Sequence, residues 1–356
     1  MWFEILKKDL MKQKGVNLIL FLFITLSTIF LASSVSNICL VMNGLDTYME
    51  YANVSDVMTV FSGGEENERF EKWLNSRDEV TEYDHEKLYE IKAEDITIKR
   101  EHITDILNTN GASLYLAKTG GKYAKALDNV GKELSLAPGE VAATVGMMER
   151  NALHIGDTLE IYISGKTFAY QISVQSKDIM YGNEMSGMAR FVFCEEDYDK
   201  MVSTNTNREI EVYGFNTTNP KETMDSMNQQ EFKLLVNSFE RSIYSLLYVF
   251  DMIVAALLIV VGFCLILISL MILKFSLSFT MEEKYREIGV MKAIGMRNFS
   301  IRKIYLVKYF ALVVTGAIVG FLISIPFGKG MMDSVSKNMV LGDSTNTAVI
   351  NLVCSI

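Results

Sequence analysis

Three apolar runs, at roughly 16–42, 249–273 and 304–327, set the first limit on what this 356-residue chain can become. A helix needs about 20 apolar residues to cross the hydrocarbon core of a bilayer, and each run reaches that length. In lipid every backbone polar group must be satisfied within the segment, so such runs become helices. The expected spans are residues 16–44, 246–273 and 303–327. A fourth apolar run opens at Thr347 and reaches residue 356 after ten positions, too few to span. The first run has a competing reading as a signal peptide, with Ala32-Ser33-Ser34 as a small-residue cleavage zone. It continues through Val35, Ile38, Leu40 and Val41, longer than a signal core, so a membrane anchor is the better reading.

Charge separates the rest. Residues 45–240 carry 35 acidic and 19 basic side chains, whereas the remainder carries 8 acidic and 15 basic. An acidic soluble region excludes the basic face that nucleic acid requires. Basic residues gather at Lys7, Lys8, Lys12 and Lys14, and again between 274 and 308, where eight face three acidic ones. The positive-inside rule then places residues 1–15, a short amphipathic segment against the membrane lipids, and 274–303 in the cytoplasm. Residues 45–240 fall on the extracytoplasmic side of a multi-pass cell-membrane protein. Cys39, Cys264 and Cys354 lie in or beside apolar runs, leaving Cys194 alone in the soluble region with no cysteine to pair with there.

The inserted region reads as α+β. Strand-like runs occur at Val57–Phe61, Ser113–Ala117, Thr158–Ser164, Thr167–Val174, Ala189–Phe193 and Ile210–Phe215. Helical patterns occur at Glu65–Asn75, Gly146–Asn151 and Glu195–Val202. From Pro220 to Ile243 apolar residues recur at three- and four-residue steps, which predicts a helical stalk running into the second span. The third span is expected to stop near Pro326, with a loop over 329–346. The fold class is thus a polytopic helical membrane domain, with three full spans and the start of a fourth at 347–356, and an α+β domain inserted after the first span.

Motifs for chemistry fail on spacing. Gly165-Lys166-Thr167 lacks the earlier glycine of a phosphate-binding loop, since Glu160 stands there. His85-Glu86-Lys87-Leu88-Tyr89 begins like a zinc helix, but Tyr89 replaces the second ligand. No catalytic residues, metal site or cofactor are expected in this chain.

The charged stretch between the second and third spans is different. Glu282 to Gly295 contains one helix-weakening residue before its end, Gly289, and carries Tyr285, Ile288, Met291 and Ile294 at steps of three. On composition alone, a short amphipathic helix and a loop that only fixes topology are equally good readings. The wording Glu283-Lys284-Tyr285-Arg286-Glu287-Ile288-Gly289-Val290-Met291-Lys292-Ala293-Ile294-Gly295 closely resembles the cytoplasmic coupling segment of FtsX-like permeases, the family that includes MacB-type ABC transporters. The resemblance fits the layout of residues 1–44 and 240–356, and residues 45–240 only loosely. Ala152-Leu153-His154-Ile155-Gly156-Asp157 is similar to a helix-to-strand turn of the same permeases' outer domains.

The resemblance implies a permease subunit that binds no ATP itself and receives ATP-driven movement from a separate ABC ATPase. The coupling segment would be 282–298, with Glu283, Arg286, Glu287, Ile288, Gly289, Met291, Lys292, Ile294 and Gly295 as its contact residues. It also implies a fourth helix, so the chain is expected to be the N-terminal part of a longer permease, or a half working with a second half or a homodimer partner. A regulator of cell-wall hydrolases and a membrane-anchored sensor are the alternatives.

Overall fold

The structure, a computed structural model, describes residues 14–100, 103–203, 208–295 and 297–340. Most of the amphipathic N-terminus and the fourth apolar run lie outside the described residues. In chain order the elements are α1 (Lys14–Tyr51), β1 (Val57–Phe61), α2 (Glu65–Asn75), β2 (Val80–Ile91), β3 (Ile96–Arg100), β4 (Ile103–Ile106) and β5 (Ser113–Lys118). Then come β6 (Glu140–Thr144), α3 (Val145–Arg150), β7 (Thr158–Ile163), β8 (Lys166–Ser176), β9 (Met188–Phe193), α4 (Glu195–Val202) and β10 (Glu209–Thr217). The last are α5 (Pro220–Asn228), β11 (Val236–Glu240), a 3-10 segment (Arg241–Tyr248), α6 (Val249–Glu283), α7 (Tyr285–Ala293) and α8 (Asn298–Asn338). The chain divides into a helical unit, within 1–41 and 250–333, and a sheet unit, 42–249 with 334–342.

In the helical unit α1, α6 and α8 are each long and apolar enough to cross a membrane, and α1 is the most enclosed. Small residues let the helices approach, as is usual where lipid removes the hydrophobic drive. Ser27 Oγ donates to Gly262 O at 2.9 Å and Thr25 Oγ1 to Gly316 O at 3.3 Å. A Cβ on Gly320 would stand 2.7 Å from the Thr25 carbonyl oxygen and 2.7 Å from Thr28 Cβ. Gly320→Leu is therefore expected to push α8 off α1 at a cost of about 1–3 kcal/mol. Thermal unfolding of the detergent-purified chain checks this, and an unchanged Tm would show that the contact does not matter.

The third span does not stop at Pro326. Its helix runs through the proline to Asn338, so the loop expected at 329–346 is helical as far as 338. A proline interrupts one backbone bond, which spans tolerate when neighbours hold the helix. Here Phe327 packs on Phe30 with ring centroids 5.9 Å apart.

The sheet unit is one mixed sheet in the order β11-β1-β10-β2-β5-β9-β6-β8-β7-β3-β4. The pairs β5/β9 and β6/β8 are parallel and the others antiparallel. The six strands and three short helices expected between residues 57 and 215 are found, the strands within two residues of their expected ends. Helix α2 presents Phe70, Trp73 and Leu74 to β1 and β10, where Phe61, Tyr213, Phe215 and Phe232 complete an aromatic cluster. Strand β1 is buried on both faces. A second core, around Phe191, Phe193, Ile161 and Ile172, fills the other half.

The stalk helix expected over 220–243 is replaced by three elements. Helix α5 ends at Asn228, β11 pairs antiparallel with β1, and the 3-10 segment follows. Leu235 N–H donates to Val60 O at 2.8 Å and Arg241 N–H to Asp56 O at 2.8 Å. An apolar edge strand needs cover, and pairing along β1 outweighs the helical period of the sequence. Phe232 and Leu234 turn into the aromatic cluster instead. Helix α1 continues unbroken to Tyr51.

At the centre of the sheet Arg190 is buried with Asp178 and Glu86, at 2.5 and 3.2 Å. Burial pushes the Glu86 carboxyl above its ordinary value, and the Arg190 charge offsets part of the rise. The folded chain thus holds that proton more tightly than the unfolded chain. Its contribution to stability is full below the ordinary carboxylate range and is lost as pH climbs through the raised value. Glu86→Gln is expected to flatten this part of the pH dependence, measured as urea midpoint against pH.

Candidate functional site

The site is built where α6 gives way to α7. Lys284, at φ −94° and ψ 14°, leaves the helical region, and α7 restarts at Tyr285. Two backbone bonds keep the break tight: Lys284 N–H donates to Thr280 O and Ile288 N–H to Lys284 O, each at 3.0 Å. The helix lasts nine residues. It closes when Gly295 takes φ +87°, a left-handed conformation that glycine adopts without strain. Ile294 N–H reaches Val290 O at 3.1 Å and Gly295 N–H reaches Lys292 O at 3.0 Å, satisfying the last carbonyls.

The expected single stripe of Tyr285, Ile288, Met291 and Ile294 is divided. A step of three residues falls about 60° short of a full turn of α-helix, so the three steps from Tyr285 to Ile294 travel about half way round the cylinder. Ile288 is 8% exposed and Met291 half-buried, whereas Tyr285 and Ile294 are 78% and 77% exposed. Val290, not among the expected contact residues, is also exposed. The step-of-three reading missed it because it looks at one line of residues rather than at the arc from Tyr285 to Ile294. Glu283, Arg286, Lys292 and Gly295 are exposed around that face. The Glu287 side chain lies outside what is described.

Gly289 falls between Tyr285 and Val290 on the exposed arc. A Cβ built on it meets nothing within 4 Å, and its φ is not among the positive ones. A mid-helix glycine costs about 0.5–1 kcal/mol relative to alanine. Nothing in the packing of the described residues requires it.

Arranged this way, α7 is an open helix face with a notch at Gly289, apolar flanks in Tyr285, Val290 and Ile294, and charges at its rim. Among the described residues no cluster of His, Cys, Asp and Glu is arranged to hold a metal ion. The two motifs set aside on spacing fall on strands: His85 to Tyr89 lie in β2, and Gly165 turns the β7–β8 hairpin.

Residues 259–353 match the FtsX-like permease C-terminal family model. The FtsX-like segment takes in most of α6, all of α7 and α8. That match and the three apolar helices mark a membrane protein. No curated protein matches the chain. Among solved structures, a domain assigned to a permease protein of Porphyromonas gingivalis aligns with 52% of this chain and 88% of its own, at 13% identity and a TM-score of 0.27. An overlay that loose carries no inference about fold or function.

Proposed function

We propose that this chain is the transmembrane permease subunit of an ABC transporter, moved by ATP hydrolysis in a separate ATPase that docks on α7. The observation that supports this most directly is Gly289, a helix-weakening residue facing open space inside the FtsX-like segment. A partner that approaches the backbone closely gives it a reason to be there. Docking faces combine apolar anchors with a charged rim that sets orientation. Tyr285, Val290 and Ile294 are the anchors, and Glu283, Arg286 and Lys292 the rim; Glu287 joins the rim by its place in the sequence. Ile288 and Met291 face the chain's own packing and fix how the helix is carried. ATP sits on the partner, and this chain acts as a transport component rather than an enzyme. Movement passed through the spans to the sheet unit is the MacB-type mode of action.

The experiment is to reconstitute the chain with candidate ABC ATPase subunits and measure binding and ATP turnover. Stable binding and stimulated turnover support the reading, and no binding by any ABC ATPase of the source cell overturns it.

Topology is tested separately. Single cysteines at Ser62 and at Asn298 are introduced with Cys39, Cys194, Cys264 and Cys354 replaced by serine. The first is expected to react with an impermeant thiol reagent on intact cells and the second only after lysis. The reverse pattern would put the sheet unit on the cytoplasmic side.

A further inference from the structure

Within the sheet unit three stretches are direct continuations of the apolar helices: residues 42–53, 241–249 and 334–340. Two loops grip them. The first, 119–134, holds the end of α1. Lys125 N–H donates to Ala52 O at 2.9 Å and Asn53 Nδ2 to Lys122 O at 2.9 Å. Gly131 lies so close to Val340 that an added Cβ would meet its Cγ1 at 2.8 Å. The second loop, 177–187, holds the other two stretches. Asn183 Nδ2 donates to Leu247 O at 3.0 Å, and Lys177 Nζ donates to Met339 O at 2.8 Å. Paired backbone bonds between Leu127 and Lys177, at 2.9 and 2.8 Å, tie loop to loop.

One side chain of the sheet bonds to both loops, and the first loop is also held by the Lys122–Glu82 ion pair to β2 and by the Thr119 N–H bond to Phe193 O of β9. Arg190 stands on β9 with its side chain 3% exposed. Its Nε donates to Asp178 Oδ2 of the second loop at 2.5 Å, and its Nη2 to the Ala124 carbonyl of the first at 2.7 Å. Its Nη1 reaches Glu86 on β2 at 3.2 Å, and the guanidinium lies 4.4 Å over the Tyr181 ring. Asp178 Oδ1 in turn accepts the amides of Met180 and Tyr181. Buried ion pairs add little net stability over an apolar filling of the same volume. What the guanidinium fork offers is several directed bonds from one rigid group, here sent to two different loops and, past β5, to β2.

We propose that Arg190 is the positioning residue of a transmission joint, through which displacement of the three helix continuations reaches the central strands of the sheet. The proposal rests on the permease reading for its purpose, but its test uses no ATPase. The whole chain is placed in lipid nanodiscs, and backbone hydrogen exchange is followed by mass spectrometry. Tyr244→Leu, in the 3-10 segment, supplies a local disturbance. With Arg190 present it is expected to speed exchange about tenfold in 119–134, 177–187 and β9. With Arg190→Lys, which keeps the charge but loses the fork, the same disturbance should stay within 241–249. A double-mutant comparison of this kind isolates coupling from the effect of either change alone. Asn183→Ala cuts the bond to Leu247 without touching the ion cluster. It is expected to confine the disturbance too, and serves if Arg190→Lys does not fold. Equal spread of the disturbance with and without the Arg190 fork and the Asn183 bond overturns the joint. So does Arg190→Lys raising exchange evenly over all strands, which is the signature of a residue that only holds the fold. A failed joint with ATPase binding intact leaves the permease reading standing, and loss of that reading leaves the exchange result standing.

Discussion

A chain carrying tryptophan at Gly289 is expected to enter the membrane as the parent does and to lose its ATPase partner. The site is open, so the indole finds no clash among the described residues, and helix propensity improves on replacing glycine. Folding and insertion should therefore be unchanged. The notch between Tyr285 and Val290 is filled, however, and a partner fitted to bare backbone is held away. Loss of a central contact in a docking face costs about 2 kcal/mol or more, which is roughly a thirtyfold rise in Kd. Gly289→Ala separates the two effects: the helix should gain about 0.5–1 kcal/mol while binding weakens by less than with tryptophan. Glu287→Lys, which reverses a rim charge, should slow association with the ATPase in a salt-dependent way. The readouts are co-purification and ATP turnover at equal membrane abundance. Wild-type binding and turnover in the tryptophan and lysine variants would reduce α7 to a connector.

The second large effect is expected in the sheet unit. Phe70 is fully buried, and its ring lies 4.8 Å from Phe61, 5.3 Å from Tyr213 and 5.3 Å from Phe232 between centroids. Trp73 stacks on it at 5.8 Å and 16°. Phe70→Ala removes the ring that joins α2 to β1, β10 and the segment before β11, and truncations of this kind cost about 3–5 kcal/mol. Domains of this size have roughly 5–15 kcal/mol in hand, so the unit should sit near its unfolding threshold at 37 °C. Denaturant unfolding followed by Trp73 fluorescence measures it. A loss under 1 kcal/mol would mean the cluster closes over the gap.

The helical unit and most of the sheet were legible in the sequence because their signals are local. Twenty apolar residues in a row have one solution in a membrane, and β1, β9 and β10 announce themselves as dense apolar runs. Strand β2 did not, since Val80 to Ile91 alternates charge with aromatic residues and its outward positions are glutamate, lysine and histidine. Short β3, β4 and β6 were likewise too weak in pattern to stand alone. Strand β11 was hidden by a helical period, and what decides its shape is the open edge of β1, distant in sequence. In α7 the helix was legible and the division of its faces was not. That division depends on which residues the rest of the helical unit covers, which spacing cannot report.

The strand order has a consequence for how the protein is made. β1 emerges early, at residues 57–61, yet its two neighbours are β10 and β11, which follow residue 208. At roughly 5–20 residues per second of synthesis, the Val-Met-Thr-Val-Phe strand spends on the order of ten seconds with both edges bare. Such a segment is a template for pairing with other chains. Shielding of residues 57–61 during that interval is therefore expected to raise the yield of folded protein.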